Sequence, residues 1–261
     1  MIWGAMAETV LEARGLSKRF GGLVAVNDMS LTVARGEILG LIGPNGAGKT
    51  TMFDLLAGSV RPSSGSIRLQ GRDITSLPPH RRLAAGMGRT FQIPRPFPAL
   101  SLLDNMLLAR QHQTGERFWA NFTAPRRVAA EEREARDKAL ALLDLVALHR
   151  LADEPARVLS GGQRKLLELA RVMMADPGVI LLDEPAAGVK PSLLEVLIDR
   201  IREINAQGVT FLLIEHNIDM VTRLCHRIVV MAQGGLLFQG KPDEVAQEPR
   251  VIEAYLGGAA A

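Results

Sequence analysis

Several residue types and patterns are scarce in this 261-residue sequence, and each scarcity excludes a class of protein. The single cysteine, Cys225, rules out an internal disulfide and suits a reducing cytoplasm. No apolar run approaches the roughly 18 residues of a membrane span, so a membrane role would need a partner chain. With 31 basic and 28 acidic residues, the charge gives no argument for nucleic acid as a partner. The apolar start Met1–Ala7 is short, lacks a basic region and is a poor signal peptide. Met6 would be a more natural start, and we expect residues 1–8 to be disordered.

One stretch stands out from this background and organises the rest of the chain. The apolar run Ile38–Ile42 predicts a buried strand. The pattern Gly43-x-x-x-x-Gly48-Lys49-Thr50 that follows is typical of a phosphate-binding loop. Glycines remove the Cβ atoms that would block a tight backbone wrap, so the N–H groups can point at an anion in front of a helix.

In this interpretation the Lys49 side chain reaches the β- and γ-phosphates, and the Thr50 hydroxyl is a ligand of Mg²⁺. A plain glycine turn is the alternative. The strand before the loop and the predicted helix Thr51–Leu56 after it give the context that favours phosphate binding. The residues assigned to the nucleotide are Gly43, Pro44, Asn45, Gly46, Ala47, Gly48, Lys49, Thr50 and Thr51.

The order of the predicted strands and helices indicates an α/β fold with a mostly parallel sheet. Val179–Leu182 and Thr210–Ile214 are fully apolar strands, and the predicted helix Pro191–Ala206 separates them. Shorter strands with rough alternation are predicted ahead of the loop at Val10–Arg14 and Asn27–Val33.

The middle of the chain is largely helical in pattern. It contains the predicted helices Ser101–Gln113 and Ala129–Leu148 and no convincing strand. We therefore expect three segments: residues 9–99, with the phosphate loop and a β subdomain; 100–176, a helical subdomain; and 177–261, the rest of the core with C-terminal helices.

Four further features are candidates for function. Asp183 and Glu184 end a buried strand, where adjacent carboxylates are costly unless they meet a metal or a reacting group. His216 ends the next strand; such a histidine is usually structural, but its place at the ligand edge of a parallel sheet favours a function. The glycine-rich turn Ser160–Gln163 opens a helix and fits either a second anion site or a simple N-cap. Phe20 fits ordinary packing and base stacking equally well.

The set GPNGAGKTT, Gln92, LSGGQ, VILLDEP and His216, in this order, resembles the ATP-binding subunits of ABC transporters. The resemblance covers about Val10 to Gly240 and depends on the whole set. It implies an ABC ATPase core with an N-terminal antiparallel β subdomain and an inserted α-helical subdomain. It also implies a sandwich dimer, in which each ATP lies between the phosphate loop of one subunit and the LSGGQ of the other.

The resemblance also implies a role for each matching residue. Phe20 stacks on adenine, and Gln92 senses Mg²⁺ and the water. Asp183 holds Mg²⁺ through water, Glu184 polarises the attacking water, and His216 contacts the γ-phosphate. The predicted catalytic residues are Glu184, His216, Lys49 and Gln92; the metal residues are Thr50, Gln92 and Asp183; and the contacts from the LSGGQ turn are Ser160, Gly161, Gly162 and Gln163.

Four shorter motifs are similar to the branched-chain amino acid importers: Gly88–Gln92, Asp183–Gly188, Leu212–His216 and Val251–Gly257. An insert around Phe118 suggests their larger, LivG-type ATPase subunit. This resemblance implies two membrane permeases, a second paired ATPase and a substrate-binding protein. The chain would then lie on the cytoplasmic face of the inner membrane, and the segment IPRPFP at residues 93–98 would be either a surface loop or a permease-docking surface.

One position departs from the family pattern. Lys190 stands where the loop after the catalytic glutamate usually carries Asp or Asn, which contacts the opposite subunit. A lysine there puts the usual cross-subunit hydrogen bonds in doubt and favours a heteromeric partner.

A soluble ABC ATPase of DNA repair or translation is the alternative function. Repair types need a very long coiled-coil insert, and the stretch between Gln92 and Leu159 is too short for one. Translation types need two cassettes in one chain, and this chain has one. An unrelated GTPase would need an Asn-Lys-x-Asp motif, which the sequence lacks.

Overall fold

The computed structural model describes residues 8–90, 95–111, 114 and 124–256. Its contacts divide the chain into two compact units. The core unit comprises the chain up to Arg89, Gly178–Ala186 and the chain from Ile201 onward. The helical unit comprises Thr90–Pro177 and Ala187–Arg200.

Some expectations remain predictions. The expectations for the first seven residues, for Gln92 and for the insert around Phe118 lie outside the described residues. The division of the chain at residues 99 and 176 also remains a prediction.

Two sheets form in the core unit, one parallel in most of its pairs and one antiparallel. In the described residues the strands are β1 (Thr9–Phe20), β2 (Leu23–Ala34), β3 (Ile38–Ile42), β4 (Ser64–Leu69), β5 (Arg72–Asp73), β6 (Met87–Arg89), β7 (Val179–Asp183), β8 (Thr210–Ile214), β9 (Arg227–Ala232) and β10 (Gly235–Gly240).

The larger sheet has the strand order β10-β9-β3-β8-β7-β6. Its neighbouring pairs are parallel, apart from the antiparallel pair of β9 and β10. Every residue of β3, β7 and β8 is buried, because near-continuous apolar strands suit a parallel sheet covered on both faces. The predicted mostly parallel α/β fold is confirmed.

The smaller sheet has the order β2-β1-β4-β5 and antiparallel pairing. Its first two strands are much longer than predicted. Several register shifts interrupt the pairing of β1 with β2, and such bulges break the simple alternation from which strand length is inferred. Buried residues of both sheets join those of the helix after the phosphate loop in one apolar core.

The helices are, in chain order, α1 (Lys49–Ala57), α2 (Pro79–Ala84), α3 (Leu102–Leu107), α4 (Pro125–Leu145), α5 (Gly161–Met173), α6 (Pro191–Ala206), α7 (Ile218–Leu224), α8 (Pro242–Gln247) and α9 (Pro249–Leu256). Among the described residues, no helix has both the length and the apolar character needed to cross a membrane.

Two predicted helices have different bounds in the structure. The helix predicted over Ser101–Gln113 begins at Leu102 and ends at Leu107. The prediction was therefore wrong for residues 108–111, which the structure describes as non-helical. The helix predicted over Ala129–Leu148 begins earlier, at Pro125, and ends at Leu145. A proline is well suited to the first turn of a helix because its missing N–H has no partner there in any case.

Candidate nucleotide-binding site

The phosphate loop lies between the end of β3 and the start of α1, as its pattern predicts. At two positions of the loop, neighbouring backbone lies so close that only glycine fits. A Cβ atom on Gly43 would lie 2.2 Å from the carbonyl oxygen of Met231, and one on Gly48 would lie 2.3 Å from that of Ala25. Gly48 also has a φ of 94°, which side chains disfavour. Any other residue here would push the loop away from β9 and β2.

Lys49 is the first residue of α1 and is only 6% exposed. Its ammonium group donates hydrogen bonds to the carbonyl oxygens of Gly43, at 2.7 Å, and Pro44, at 2.9 Å. Burial lowers the pKa of Lys49, and the negative charge of Glu184 opposes that shift. The lysine is therefore held against the loop, where its charge would meet a bound phosphate.

The other loop residues differ in exposure. Thr50, in the first turn of α1, is exposed, so its hydroxyl is accessible to a ligand. Asn45 and Gly46 are exposed too, whereas Pro44, Gly48 and Thr51 are half-buried and Ala47 is buried.

At the carboxyl ends of β7 and β8, Glu184 and His216, which are distant in sequence, come into contact. Because both strands run parallel within one sheet with β3, their ends lie at the edge that carries the phosphate loop. His216 Nε2 lies 3.1 Å from Glu184 Oε1. Glu184 has a φ of 45°, an uncommon conformation for a residue with a side chain and one that clusters at functional sites. Its backbone N–H donates to the carbonyl oxygen of Ile214 at 3.0 Å, which joins the two strand ends.

Glu215 is a residue of this edge to which the sequence analysis assigned no role. It is 3% exposed, and its carboxylate accepts hydrogen bonds from the backbone N–H groups of Ala186 (2.5 Å), His216 (2.9 Å) and Asn217 (3.0 Å). The carboxylate thereby fixes the turn that carries His216 to the segment that follows Glu184. The available signal was a charged residue directly after the apolar strand β8.

Arg89 is the second residue whose role was missed. It ends β6, and its Nη2 donates to Asp183 Oδ2 at 2.9 Å while its Nη1 donates to Asp54 Oδ1 at 2.6 Å. Burial raises the pKa of Asp183, and the hydrogen bond and charge of Arg89 oppose that shift. No local pattern joins these three residues, since they come from distant parts of the chain.

Phe20 is the last residue of β1, and 48% of its surface is exposed. The Lys18 ammonium lies 5.0 Å from the centre of its ring. An exposed ring favours the stacking hypothesis over ordinary packing, because a packed ring would be covered.

The LSGGQ turn belongs to the helical unit and opens α5 as an N-cap. Ser160 Oγ accepts from the Gln163 N–H at 3.4 Å, and Gln163 Oε1 accepts from the Ser160 N–H at 3.0 Å. The two glycines differ: Gly161 is exposed, whereas a Cβ on the buried Gly162 would lie 2.2 Å from Leu193 Cδ2 on α6. The simple N-cap is therefore present, and Gly162 also permits close packing of two helices.

No group of three or more His, Cys, Asp or Glu side chains able to hold a metal occurs in the part of the chain that the structure describes. Mg²⁺ needs no such group, because proteins usually bind it through one or two carboxylates together with substrate phosphates and waters. The buried carboxylate of Asp183 and the exposed hydroxyl of Thr50 are ligands of the required kind. The residues present therefore fit Mg²⁺.

The C-terminal helices also reach this edge of the sheet. Tyr255 on α9 and Ile42, the last residue of β3, line one apolar cavity of about 300 Å³. Burial raises the pKa of Tyr255, and the backbone N–H of Gly43, which faces the phenolic oxygen, opposes that shift. The first glycine of the phosphate loop is thus in contact with helix α9.

A buried strand, a glycine loop closed by a buried lysine, a helix, and carboxylates at the ends of neighbouring parallel strands define a phosphate-loop nucleotide hydrolase. A model of the ABC transporter family matches residues 26–187. A second model, of the branched-chain amino acid ATP-binding cassette transporters, matches residues 236–261. The chain belongs to the ABC transporter family and is an ATP-hydrolysing subunit.

Similar proteins cover nearly the whole chain. The LivG branched-chain amino acid transport ATP-binding protein of Archaeoglobus fulgidus is 41% identical over 95% of this chain and 95% of its own. The lipopolysaccharide export system ATP-binding protein LptB of Acidithiobacillus ferridurans is 40% identical over 95% of this chain and 97% of its own. A crystal structure of the ADP conformation of an ATP-binding cassette of an ABC transporter matches with a TM-score of 0.82 and 31% identity, over 95% of this chain and 99% of that chain.

Proposed function

We propose that this chain binds and hydrolyses ATP to power an ABC importer of branched-chain or related amino acids. The observation that carries the proposal is the match of residues 236–261 to the branched-chain transporter model, in addition to the general ABC match. The described part of those residues comprises most of β10 and all of α8 and α9. Through Tyr255 this region contacts the phosphate loop, so the part of the chain that is specific to the subfamily adjoins the nucleotide site.

Nucleotide binding is the first task of the site. The exposed ring of Phe20 stacks on adenine, and the loop N–H groups and Lys49 hold the β- and γ-phosphates. Thr50, Asp183 and Gln92 would hold Mg²⁺, which supplies positive charge against the phosphate oxygens. The burial of Lys49 strengthens its interaction with an anion, because water screens the charge less there.

Hydrolysis is the second task. The carboxylate of Glu184 polarises the attacking water, and the imidazole of His216 contacts the γ-phosphate. Their contact at 3.1 Å keeps the two groups at one point of the sheet edge, and Glu215 holds the turn behind them. Phosphoryl transfer depends mainly on positioning and charge stabilisation, which this arrangement supplies.

The LSGGQ turn completes the site of a paired subunit. In the ATP-bound dimer, Ser160, Gly161, Gly162 and Gln163 of one subunit cap the γ-phosphate that the other subunit's loop holds. Lys190 is exposed at the start of α6, so its charge would face the opposite subunit. A second, different ATPase with a complementary residue is the partner that this position favours.

The assembly contains two membrane permeases, the paired ATPase and a substrate-binding protein, and the permeases hold this chain on the cytoplasmic face of the inner membrane. The segment IPRPFP would dock a permease. Its first two residues lie outside the described residues, and Phe97 within it is 50% exposed. Apolar surface of this kind is common at protein contacts.

The test is purification of the tagged chain from its own cells in mild detergent, followed by reconstitution of the recovered complex in liposomes. We expect two permeases and a second ATPase to be recovered, and we expect a leucine-loaded binding protein to stimulate hydrolysis. A complex with Lys49→Ala, assembled in the same way, is the inactive control.

Two other outcomes would contradict the hypothesis that the chain powers an importer. Recovery of membrane proteins that bind lipopolysaccharide would assign the chain to export, as in the relative from Acidithiobacillus ferridurans. Recovery of ribosomes or nucleic acid without membrane proteins would be consistent with ATP hydrolysis but would contradict a function in transport.

A further inference from the structure

Arg89 joins two carboxylates from different elements of the core unit. Its Nη2 contacts Asp183, which ends β7, and its Nη1 contacts Asp54, which lies on α1. The same Nη1 donates to Ser59 Oγ at 3.1 Å. The guanidinium carbon lies 5.1 Å from the centre of the Phe53 ring, within the range of a cation–π contact. With a side chain only 17% exposed, Arg89 is held from several sides.

The position of Asp54 relates this link to the phosphate loop. Asp54 lies four residues after Thr50 on α1, and residues at this spacing share one face of a helix. Arg89 therefore connects Asp183 to the helix face that carries Thr50. Asp183 and Thr50 are the two residues that fit Mg²⁺.

The burial of Asp183 makes its contact with a cation important. The Asp183 side chain is only 11% exposed, and the Arg89 Nη2 lies 2.9 Å from its Oδ2. A buried carboxylate without a cation partner is costly. The planar guanidinium can also contact two carboxylates through two different nitrogens, so it fixes their relative orientation, which a lysine cannot do.

We propose that Arg89 is a positioning residue for Mg²⁺: it clamps Asp183 of β7 to Asp54 of α1 and so sets the distance between the carboxylate and the hydroxyl that would hold the metal. The proposal rests on the proposed function, because that function assigns Asp183 and Thr50 to Mg²⁺. It gives a role to the second residue of the motif Gly88–Gln92, which the nucleotide contacts alone do not explain.

The experiment measures metal binding separately from hydrolysis. In the Glu184→Gln background, binding of Mn²⁺ to the ATP-loaded protein is followed by electron paramagnetic resonance, and ATP binding is measured in EDTA. Loss of a side chain that orients a metal ligand typically costs 10- to 100-fold in metal affinity. We expect Arg89→Gln to weaken Mn²⁺ binding by about this factor while leaving metal-free ATP binding unchanged.

Two further variants examine the clamp itself. Arg89→Lys keeps the charge but loses the second contact, so it should weaken Mn²⁺ binding less than Arg89→Gln does. Asp54→Asn should also weaken it, and Asp54→Asn combined with Arg89→Gln should add little, because the two residues act through one contact.

Arg227→Gln is the matched control. Arg227 makes a comparable ion pair with Glu37, with Nε 2.8 Å from Oε1, and its side chain is 27% exposed. It begins β9 and lies at the opposite end of the sheet from the phosphate loop, because β9 runs parallel to β3. We expect Arg227→Gln to lower the melting temperature and to leave Mn²⁺ binding unchanged.

The outcomes separate the two proposals. If Asp183→Asn leaves Mn²⁺ binding unchanged, the metal assignment fails, and the role of Arg89 fails with it. If Asp183→Asn weakens Mn²⁺ binding but Arg89→Gln and Arg89→Lys do not, only the role of Arg89 is overturned. An equal loss of ATP binding with and without metal in Arg89→Gln would mean a purely structural role and would also overturn it.

Discussion

The phosphate loop and the LSGGQ turn both place glycines at the start of a helix, yet the two are built differently. In the loop, Gly43 and Gly48 are required by the strands behind them, and Lys49 adds a buried positive charge. In the LSGGQ turn, Ser160 and Gln163 already bond to each other's backbone N–H groups. The loop is thus an anion site formed within one subunit, whereas the turn is a stable helix cap, to which the proposed function assigns a nucleotide held by another subunit.

The largest effect should come from Glu184, to which the proposed function assigns a role in hydrolysis alone. Glu184→Gln should lower the turnover rate by about 10²- to 10⁴-fold, the usual contribution of a general base. ATP binding should persist, since the phosphate loop is unchanged. The measurement is phosphate release beside equilibrium ATP binding, with the exposed Glu132→Gln on α4 as the control. A turnover rate equal to that of the unmodified protein would contradict the catalytic role assigned to Glu184.

Removal of the loop lysine should abolish useful ATP binding. Lys49→Ala deletes the buried charge that the proposed function places against the phosphates. Charge-assisted hydrogen bonds of this kind are worth up to about 3 kcal/mol, or roughly 100-fold in affinity. Lys138→Ala is a fair control, because Lys138 in the helical unit also donates to a backbone carbonyl, that of Met174. Equal ATP affinity in the two variants would contradict the account of the loop.

The two glycines of the LSGGQ turn should respond differently in stability. Gly162→Ala forces a Cβ against Leu193, and such overpacking typically costs about 1–3 kcal/mol. Gly161→Ala meets no atom closer than 3.9 Å and should keep or slightly raise stability. Urea unfolding of both variants is the test. Equal unfolding midpoints would mean that α5 and α6 do not pack as described.

The smallest expected effect concerns the C-terminal helix. Tyr255→Phe removes the phenolic oxygen that faces the Gly43 N–H, and a neutral hydrogen bond contributes about 0.5–1.5 kcal/mol. We expect ATP affinity to fall by a few-fold and the fold to persist. Calorimetric titration with ATP measures the change, and an affinity equal to that of the unmodified protein would show that this contact does not support the loop.

The sequence predicted the features that depend on local pattern. The strand, loop and helix around Lys49 follow from periodicity and glycine spacing, and the parallel sheet follows from alternating strands and helices. Strand lengths in the smaller sheet were underestimated, because bulges interrupt the alternation of β1 and β2.

The parts of the site that depend on distant contacts could not be predicted. Arg89 matters because Asp54 and Asp183, from two other elements, converge on it, and no spacing in the chain encodes that meeting. Glu215 lies beside His216 in sequence, but its role comes from three backbone N–H groups that only the folded turn brings to it.

The most direct test of the central claim is to measure ATP binding and turnover together for Ser160→Asp and Ser160→Asn in the purified complex. Asp and Asn are both good N-caps, so α5 should keep its start in both variants. Only Asp adds a negative charge, which would repel the γ-phosphate on the paired subunit. The account predicts that Ser160→Asp retains ATP binding to its own loop and loses turnover, while Ser160→Asn retains much of both. Unchanged turnover in Ser160→Asp, or loss of ATP binding by the isolated Ser160→Asp chain, would contradict it.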